Sequence, residues 1–213
     1  MYQLRIYNRE HSSVFCKTKD RFGGLSNMSN GYPLCLNDVM IWNSEALYQA
    51  MRFPLYPEIQ RRIISTKSPI SSKKIAYENI DKTREDWDLV KVKIMRWCLR
   101  VKLSQNFLKF GLLLESTYPF PIVEFSNKNL FWGANIDKEN DFFLIGVNAL
   151  GRLLMELRAE YMSSKRYDLL IVAPLCISNN ILLEKEIIQI DETDSFVNNV
   201  IKGGYGLSKG NEI

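Results

Sequence analysis

Asn43-Ser-Glu-Ala-Leu-Tyr-Gln-Ala-Met-Arg-Phe53 is the stretch whose reading decides the fold of this chain. Ser44 suits an N-cap and Pro54 stops the segment, which predicts a helix of about two to three turns. Leu47, Ala50, Met51 and Pro54 recur at the three-and-four spacing of a buried face. Glu45, Tyr48, Gln49 and Arg52 recur at the same spacing on the other side, gathering a carboxylate, a phenol, an amide and a guanidinium into one stripe. Glu45 falls in the first turn, where the helix dipole and free backbone N–H groups favour its ionised form. A carboxylate held ionised suits a base or a stabiliser of positive charge better than a proton donor. A solvated stripe with Glu45 as a simple cap fits the same spacing.

The 213 residues suit one domain with an appended tail, and 46% hydrophobic content with 12% aromatics supports a sizeable core. A net charge of +4 permits a phosphate-bearing or nucleic-acid partner without requiring one. Cys16, Cys35, Cys98 and Cys176 show no paired spacing and His11 is the single histidine, which argues against zinc, a disulfide framework or a histidine-based nucleophile. That cysteine usage fits a reducing cytoplasm. No signal pattern or apolar run of about 18 residues is present, so the expectation is a cytoplasmic protein with no membrane contact.

The periodicity predicts a helix-dominated α+β fold with a few short strands. Strands are expected at Leu4 to Tyr7, at Val14 to Cys16 and at Ile122 to Phe125, with a hairpin from Pro33 to Trp42 around Asn37-Asp38. Helices are expected at about Pro57 to Ser65, Ser71 to Asn79, Asp86 to Ser104, Phe107 to Leu114 and Leu150 to Tyr161. On the longest, Trp87, Val90, Ile94, Trp97 or Cys98, and Val101 form an apolar stripe. Residues 1–162 form the expected domain. Residues 163–213 form a partly ordered extension, with a strand at Leu169 to Val172 and a Gly-rich basic end from Lys202.

Four polar blocks lie at element ends, where sites are built. Phe22-Gly23-Gly24-Leu25-Ser26-Asn27 offers close backbone approach and two hydrogen-bonding side chains, or a plain turn. Arg84-Glu85-Asp86-Trp87 opens the long helix; Trp87 either begins the core stripe or stacks a base beside a guanidinium. Glu124 to Gly133, with Ser126, Lys128, Asn129 and Trp132, resembles a pocket rim, or a turn around a core tryptophan. Gly146-x-Asn148-x-x-Gly151 is a plausible anion cradle without a dinucleotide-binding strand before it. Lys93, Arg96 and Arg100 share a face of the long helix, either solvated or tracking a nucleic-acid backbone.

In order and spacing these blocks resemble the NADAR family, also called YbiA-like, over roughly Phe15 to Tyr161. The carrying residues are Gly24-x-Ser26-Asn27, Ser44-Glu45-Ala46-x-Tyr48-Gln49-Ala50, Ser68-Pro69, Trp87 before Met95, Trp132-Gly133, and Gly146-x-Asn148-x-Leu150-Gly151 running on to Arg158. The resemblance implies an N-glycosidase that needs no cofactor and no metal. Family activities include hydrolysis of ribosylamino-pyrimidine intermediates of riboflavin synthesis and removal of ADP-ribose from guanine in DNA. The wording around Glu-Ala-Leu-Tyr-Gln-Ala-x-Arg-Phe-Pro resembles the second branch, whose members are antitoxins to DarT-type ADP-ribosyltransferase toxins. Riboflavin-type members usually place His after the glutamate and Lys where this chain has Arg52. One departure is Asn129, where the family usually carries Asp.

The resemblance implies Glu45, Trp87 and Asn129 as catalytic residues, with Lys17 or Lys19 as an alternative trap for opened ribose through a Schiff base. Phe22, Gly23, Gly24, Ser26, Asn27, Tyr48, Arg52, Ser68, Arg84, Trp132, Gly133, Asn148 and Gly151 are the expected substrate contacts. Lys93, Arg96 and Arg100 are the expected DNA contacts. The implied partners are ADP-ribosylated guanine in DNA, free ADP-ribose as product, and a DarT-like toxin. A non-catalytic module that binds ADP-ribose or sequesters a toxin is the reading that Asn129 keeps open.

Overall fold

The structure, a computed structural model, describes residues 3–202, so the Gly-rich stretch after Lys202 lies outside the described residues. Strands β1 (Arg5–Asn8) and β2 (Ser13–Phe15) lead into a 3-10 turn at Gly23–Leu25 and the hairpin β3 (Leu34–Leu36) and β4 (Val39–Ile41). Asn37 and Asp38 both take positive φ, 49° and 65°. Two consecutive left-handed residues give the turn whose twist matches the flanking strands, which is why Asn-Asp works there.

Five helices follow: α1 (Ser44–Ala50), α2 (Pro57–Ser65), α3 (Pro69–Glu78), α4 (Trp87–Gln105) and α5 (Phe107–Glu115). Asn43, not Ser44, caps α1: its side chain accepts the Ala46 N–H at 2.9 Å. Ser68 caps α3 through the Ser71 N–H at 3.2 Å, and Pro69 starts that helix two residues before the expected Ser71. The stripe on α4 is buried at Val90, Ile94, Trp97, Cys98 and Val101, whereas Trp87 is half-buried at its leading end.

Beyond α5, β5 (Ile122–Glu124) pairs in parallel with β2. Two strands that the alternation did not reveal, β6 (Asn135–Ile136) and β7 (Phe143–Gly146), complete a three-stranded antiparallel sheet in the order β1-β7-β6. Helix α6 (Ala149–Tyr161) buries Leu153, Leu154, Leu157 and Tyr161, as its spacing predicts.

The segment after Tyr161 joins the same core. A 3-10 turn (Arg166–Leu170) occupies the first part of the expected strand and leads into β8 (Ile171–Val172), followed by β9 (Ile181–Leu182), β10 (Lys185–Glu186), β11 (Ile190–Asp191) and α7 (Thr193–Lys202). Leu169, Leu170, Val172, Leu182, Ile187 and Ile190 belong to the main apolar cluster. Fully buried Gln60 of α2 donates to the Ile181 carbonyl at 3.0 Å and accepts the Leu183 N–H at 2.7 Å. The Trp97 indole donates to the Ala173 carbonyl at 3.0 Å. The result is an α+β fold, predominantly helical, with several short strands.

Candidate active site

A cleft of about 390 Å³ lies between α1, α3, the start of α4 and the loop after β5. Helix α1 is too central to show water one face: all seven of its residues are buried. Its polar stripe faces this cleft instead, with Glu45, Tyr48, Gln49 and Arg52 all in the lining. The stripe is internally bonded. Gln49 Nε2 donates to Glu45 Oε1 at 2.8 Å, and Arg52 Nη1 donates to Gln49 Oε1 at 3.3 Å. Arg52 also donates to Thr83 Oγ1 at 3.2 Å and lies 4.9 Å from the centre of the Trp87 ring.

The loop Ser26-Asn27 closes one wall, and the Asn27 carbonyl accepts the Glu45 N–H at 3.1 Å. That contact fixes the first turn of α1 against the loop. The loop is itself held by Lys102, which is fully buried and donates to the carbonyls of Gly24 at 2.7 Å and Ser26 at 3.0 Å. Burial drives the Lys102 ammonium well below the usual lysine range.

Opposing effects act on the charge of Glu45. Burial raises its pKa, against the opposing pull of the Gln49 hydrogen bond and the positive charges of Lys73 and Arg52. Burial thus opposes the ionised form that these three partners favour. Across the cleft stands a second carboxyl, Glu124, the last residue of β5. Burial first, and then the negative charge of Glu45, push its pKa up to about 7, with Lys73 opposing. Burial likewise raises Tyr48 and lowers Arg52.

Aromatic rings line the cleft. Tyr48 meets Trp87 at 5.1 Å and Trp132 edge-on at 5.8 Å, while Tyr77 and Phe131 lie further round the wall. Lys73 and Lys91 add positive charge, and Lys91 is paired with Asp88 at 2.5 Å. Asn129 lines the cleft, yet its Oδ1 accepts the N–H groups of Phe131 and Trp132, both at 3.1 Å. It shapes the loop and brings no charge to the cavity.

Several expected contacts lie elsewhere. Lys17 and Lys19 are exposed and absent from the lining; the lysines that do line it are Lys73 and Lys91. Phe22, Gly23 and Gly24 pack outside the cleft: a Cβ on Gly23 would sit 2.4 Å from the Lys17 carbonyl, and one on Gly24 2.4 Å from the Tyr32 hydroxyl. Their smallness serves packing rather than a ligand. Ser68 is a helix cap. Arg84, 5% exposed, binds Asp86 at 2.5 Å and the Ser178 carbonyl at 2.6 Å, tying the C-terminal segment to the start of α4.

The Gly146-x-Asn148-x-x-Gly151 run is not an anion cradle. A strand, β7, does precede it, but in an antiparallel sheet, and Asn148 is fully buried with φ 50°. Its Oδ1 accepts the Glu124 N–H at 3.1 Å and its Nδ2 donates to the Ile122 carbonyl at 2.9 Å. Gly151 and Gly133 leave room for the same strand: a Cβ on Gly151 would lie 2.2 Å from the Ile122 oxygen, and one on Gly133 2.5 Å from the Glu124 oxygen. These residues hold β5 in place and so position Glu124.

Lys93, Arg96 and Arg100 line a separate groove of about 530 Å³ between α4 and residues 171–177, which holds no carboxylate. Arg96 pairs with Glu156 at 2.7 Å and Arg100 with Glu160, so most of the expected basic track is neutralised by α6.

Two carboxyls, Glu45 and Glu124, thus line one aromatic cleft together with basic side chains, a set of groups suited to acid–base chemistry. A NADAR domain profile matches residues 14–162. The chain belongs to the NADAR family. Similar proteins include the N-glycosidases YbiA of Shigella sonnei and of Escherichia coli strain K12, each 30% identical over 151 residues, covering 71% of this chain and 89% of theirs. The chloroplastic riboflavin biosynthesis protein PYRR of Zea mays is 32% identical over 163 residues, covering 70% of this chain and 25% of that protein. The NMR structure of Escherichia coli YbiA matches with a TM-score of 0.58 at 28% identity, covering 72% of this chain and 90% of that one.

Proposed function

We propose that this chain is an N-glycosidase that removes ADP-ribose from guanine bases of DNA and so counteracts a DarT-type ADP-ribosyltransferase toxin. Cleaving the bond between ribose C1 and the exocyclic guanine nitrogen builds positive charge on the sugar. A nearby carboxylate lowers that barrier and accepts a proton from the attacking water. Glu45 suits that role: it receives the Gln49 amide and lies in the field of Lys73 and Arg52. Trp87 and Trp132 are flat surfaces for a base, and enclosing the sugar between them keeps bulk water from the developing charge.

The observation that carries the choice of substrate is Arg52 on Trp87. A planar guanidinium held against an indole presents both a stacking surface and a charge for a phosphate. Arginine at that position is also the wording that resembles the de-ADP-ribosylating branch. With Lys73, the cleft offers a pyrophosphate two cations without a carboxylate partner among the described residues, and Lys91, paired with Asp88, lies beside them.

A second reading draws on the riboflavin-biosynthesis relatives: hydrolysis of a free ribosylamino-pyrimidine phosphate. The two separate when the protein is incubated with each substrate. ADP-ribose released from an oligonucleotide bearing ADP-ribosylated guanine, with affinity falling steeply as salt rises, is the expected result. Turnover of the free pyrimidine phosphate alone rejects the DNA reading. Tight ADP-ribose binding with neither hydrolysis would leave a non-catalytic binding module.

A further inference from the structure

Glu124 is the group in this cleft that the motif reading left without a role. Its main chain is fixed on both sides: Asn148 takes its N–H at 3.1 Å, and the Ala134 N–H donates to its carbonyl at 2.8 Å. Among the described residues, its carboxyl makes no hydrogen bond and no ion pair, although it lines a largely buried cavity. A carboxyl with no protein partner in such a place is costly to the fold and free to meet a ligand. Glu45, by contrast, has the Gln49 amide and two cations to hold its charge. Of two facing carboxyls, the one with those partners ionises first, and the other keeps its proton.

Resting on the N-glycosidase reading, we infer that Glu124 is the general acid of the reaction, delivering a proton to the leaving nitrogen while Glu45 stands ionised beside the sugar carbon. As the bond between C1 and the nitrogen breaks, the nitrogen takes the Glu124 proton and leaves as a neutral amine. Water bonds to C1 and gives a proton to Glu45. That proton passes across the cavity to Glu124, restoring the starting state; one water is consumed and no other reactant is needed.

The groups that could shift this titration are Glu45 and Tyr48 on α1, Arg52 in the turn after it, Lys73 and Tyr77 on α3, and Lys91 on α4. The charges that act on Glu124 are Glu45, which raises its pKa, and Lys73, which lowers it. Its titration near 7 gives the wild-type rate an alkaline limb in that region.

The test is a pH profile of kcat/KM for the full chain and for Glu124→Gln and Glu124→Asp, each checked for folding by circular dichroism and thermal unfolding. The substrate is whichever the wild type turns over, the ADP-ribosylated oligonucleotide or the ribosylamino-pyrimidine phosphate. Glu124→Gln is expected to lower the rate on the order of 10²–10⁴-fold and to erase the alkaline limb. Glu124→Asp is expected to keep the limb at an intermediate rate. A Gln variant within about threefold of wild type, or one that keeps the limb, overturns the assignment. If only the pyrimidine phosphate is cleaved, the DNA reading fails and Glu124 is judged on that substrate. If neither is cleaved, both proposals fall.

Discussion

The Asn148 side chain and the Glu124 backbone form one unit: Oδ1 of the first accepts the N–H of the second at 3.1 Å, twenty-four positions back along the chain. Asn148 manages this with φ 50°, a left-handed conformation that few residue types other than asparagine and glycine adopt readily. The side chain that stitches β5 to the start of α6 thereby also sets where a carboxyl points in the cleft.

Replacing Asn148 tests that coupling. Asn148→Ala loses two buried hydrogen bonds and leaves at φ 50° a residue that tolerates left-handed backbone less well than asparagine, at a cost of about 2–4 kcal/mol by denaturant unfolding. Turnover is expected to fall more than ADP-ribose affinity does. Asn148→Gly removes the backbone strain and so should recover part of the stability but little of the turnover. Equal recovery of both would show that Asn148 acts on stability alone.

Glu45→Gln keeps the shape of the side chain and removes its charge. Turnover is expected to drop at least about 10²-fold with substrate affinity changed much less, because the carboxylate acts mainly on the transition state. Turnover near that of the wild type excludes Glu45 from the chemistry.

The raised pKa of Glu124 has a consequence for stability. The folded state keeps the proton up to about 7, whereas the unfolded chain releases it near 4.5. The stabilising contribution is therefore complete below 4.5 and is lost as pH rises through about 7, to a total of at most about 3 kcal/mol. Chemical denaturation of the ligand-free protein at pH 5 and pH 8 measures it. Glu124→Gln should flatten the difference, and an unchanged difference would assign the effect to another group.

Lys102→Ala opens a void under the Ser26-Asn27 loop and strands two carbonyls, with an expected loss of about 3 kcal/mol. Lys102→Met fills most of the void without donating, so it should recover stability while KM remains raised. A normal KM in a stable Met variant would mean that the loop does not depend on the ammonium.

The salt dependence of DNA affinity reports which cations meet phosphate. Lys73→Gln is expected to reduce the slope of log K against log salt by about 1, and Lys91→Gln by less, because Lys91 is already paired with Asp88. Arg96→Gln with Arg100→Gln should leave it nearly unchanged, because both arginines are already paired with glutamates. The opposite pattern would move the DNA to the groove beside α4.

The helices α1 to α6 could be read closely from the sequence because each carries its own periodicity and stop signals, whereas α7 was not anticipated. Pro57, the Asn37-Asp38 turn and the inward leucines of α6 all fall where local chemistry puts them. Glu45, Tyr48 and Gln49 could be grouped because one short helix presents them together, and Arg52 in the turn after it keeps to the same face. Glu124 was legible only as part of a rim. A charged residue ending a buried apolar strand is the local signal, but its facing partner is Glu45, which no spacing rule connects to it. Lys73 and Lys91 were missed for the same reason: which face of α3 and α4 turns toward α1 is decided by tertiary packing. The glycines and Asn148 misled because a motif records that small or left-handed residues are required without saying whether a ligand or a neighbouring strand requires them.

The joint made by Gln60 and Trp97 bears on how this protein should be trimmed for study. Cutting after residue 162, where the NADAR match stops, would take from buried Gln60 its Ile181 acceptor and its Leu183 donor, leave the Trp97 N–H without its acceptor, and strip Leu170, Val172 and Leu182 from the apolar interior. A shortened version drawn from kinship alone would thus be born with a wound along α2 and α4, and failure of that fragment to express would say nothing about the enzyme.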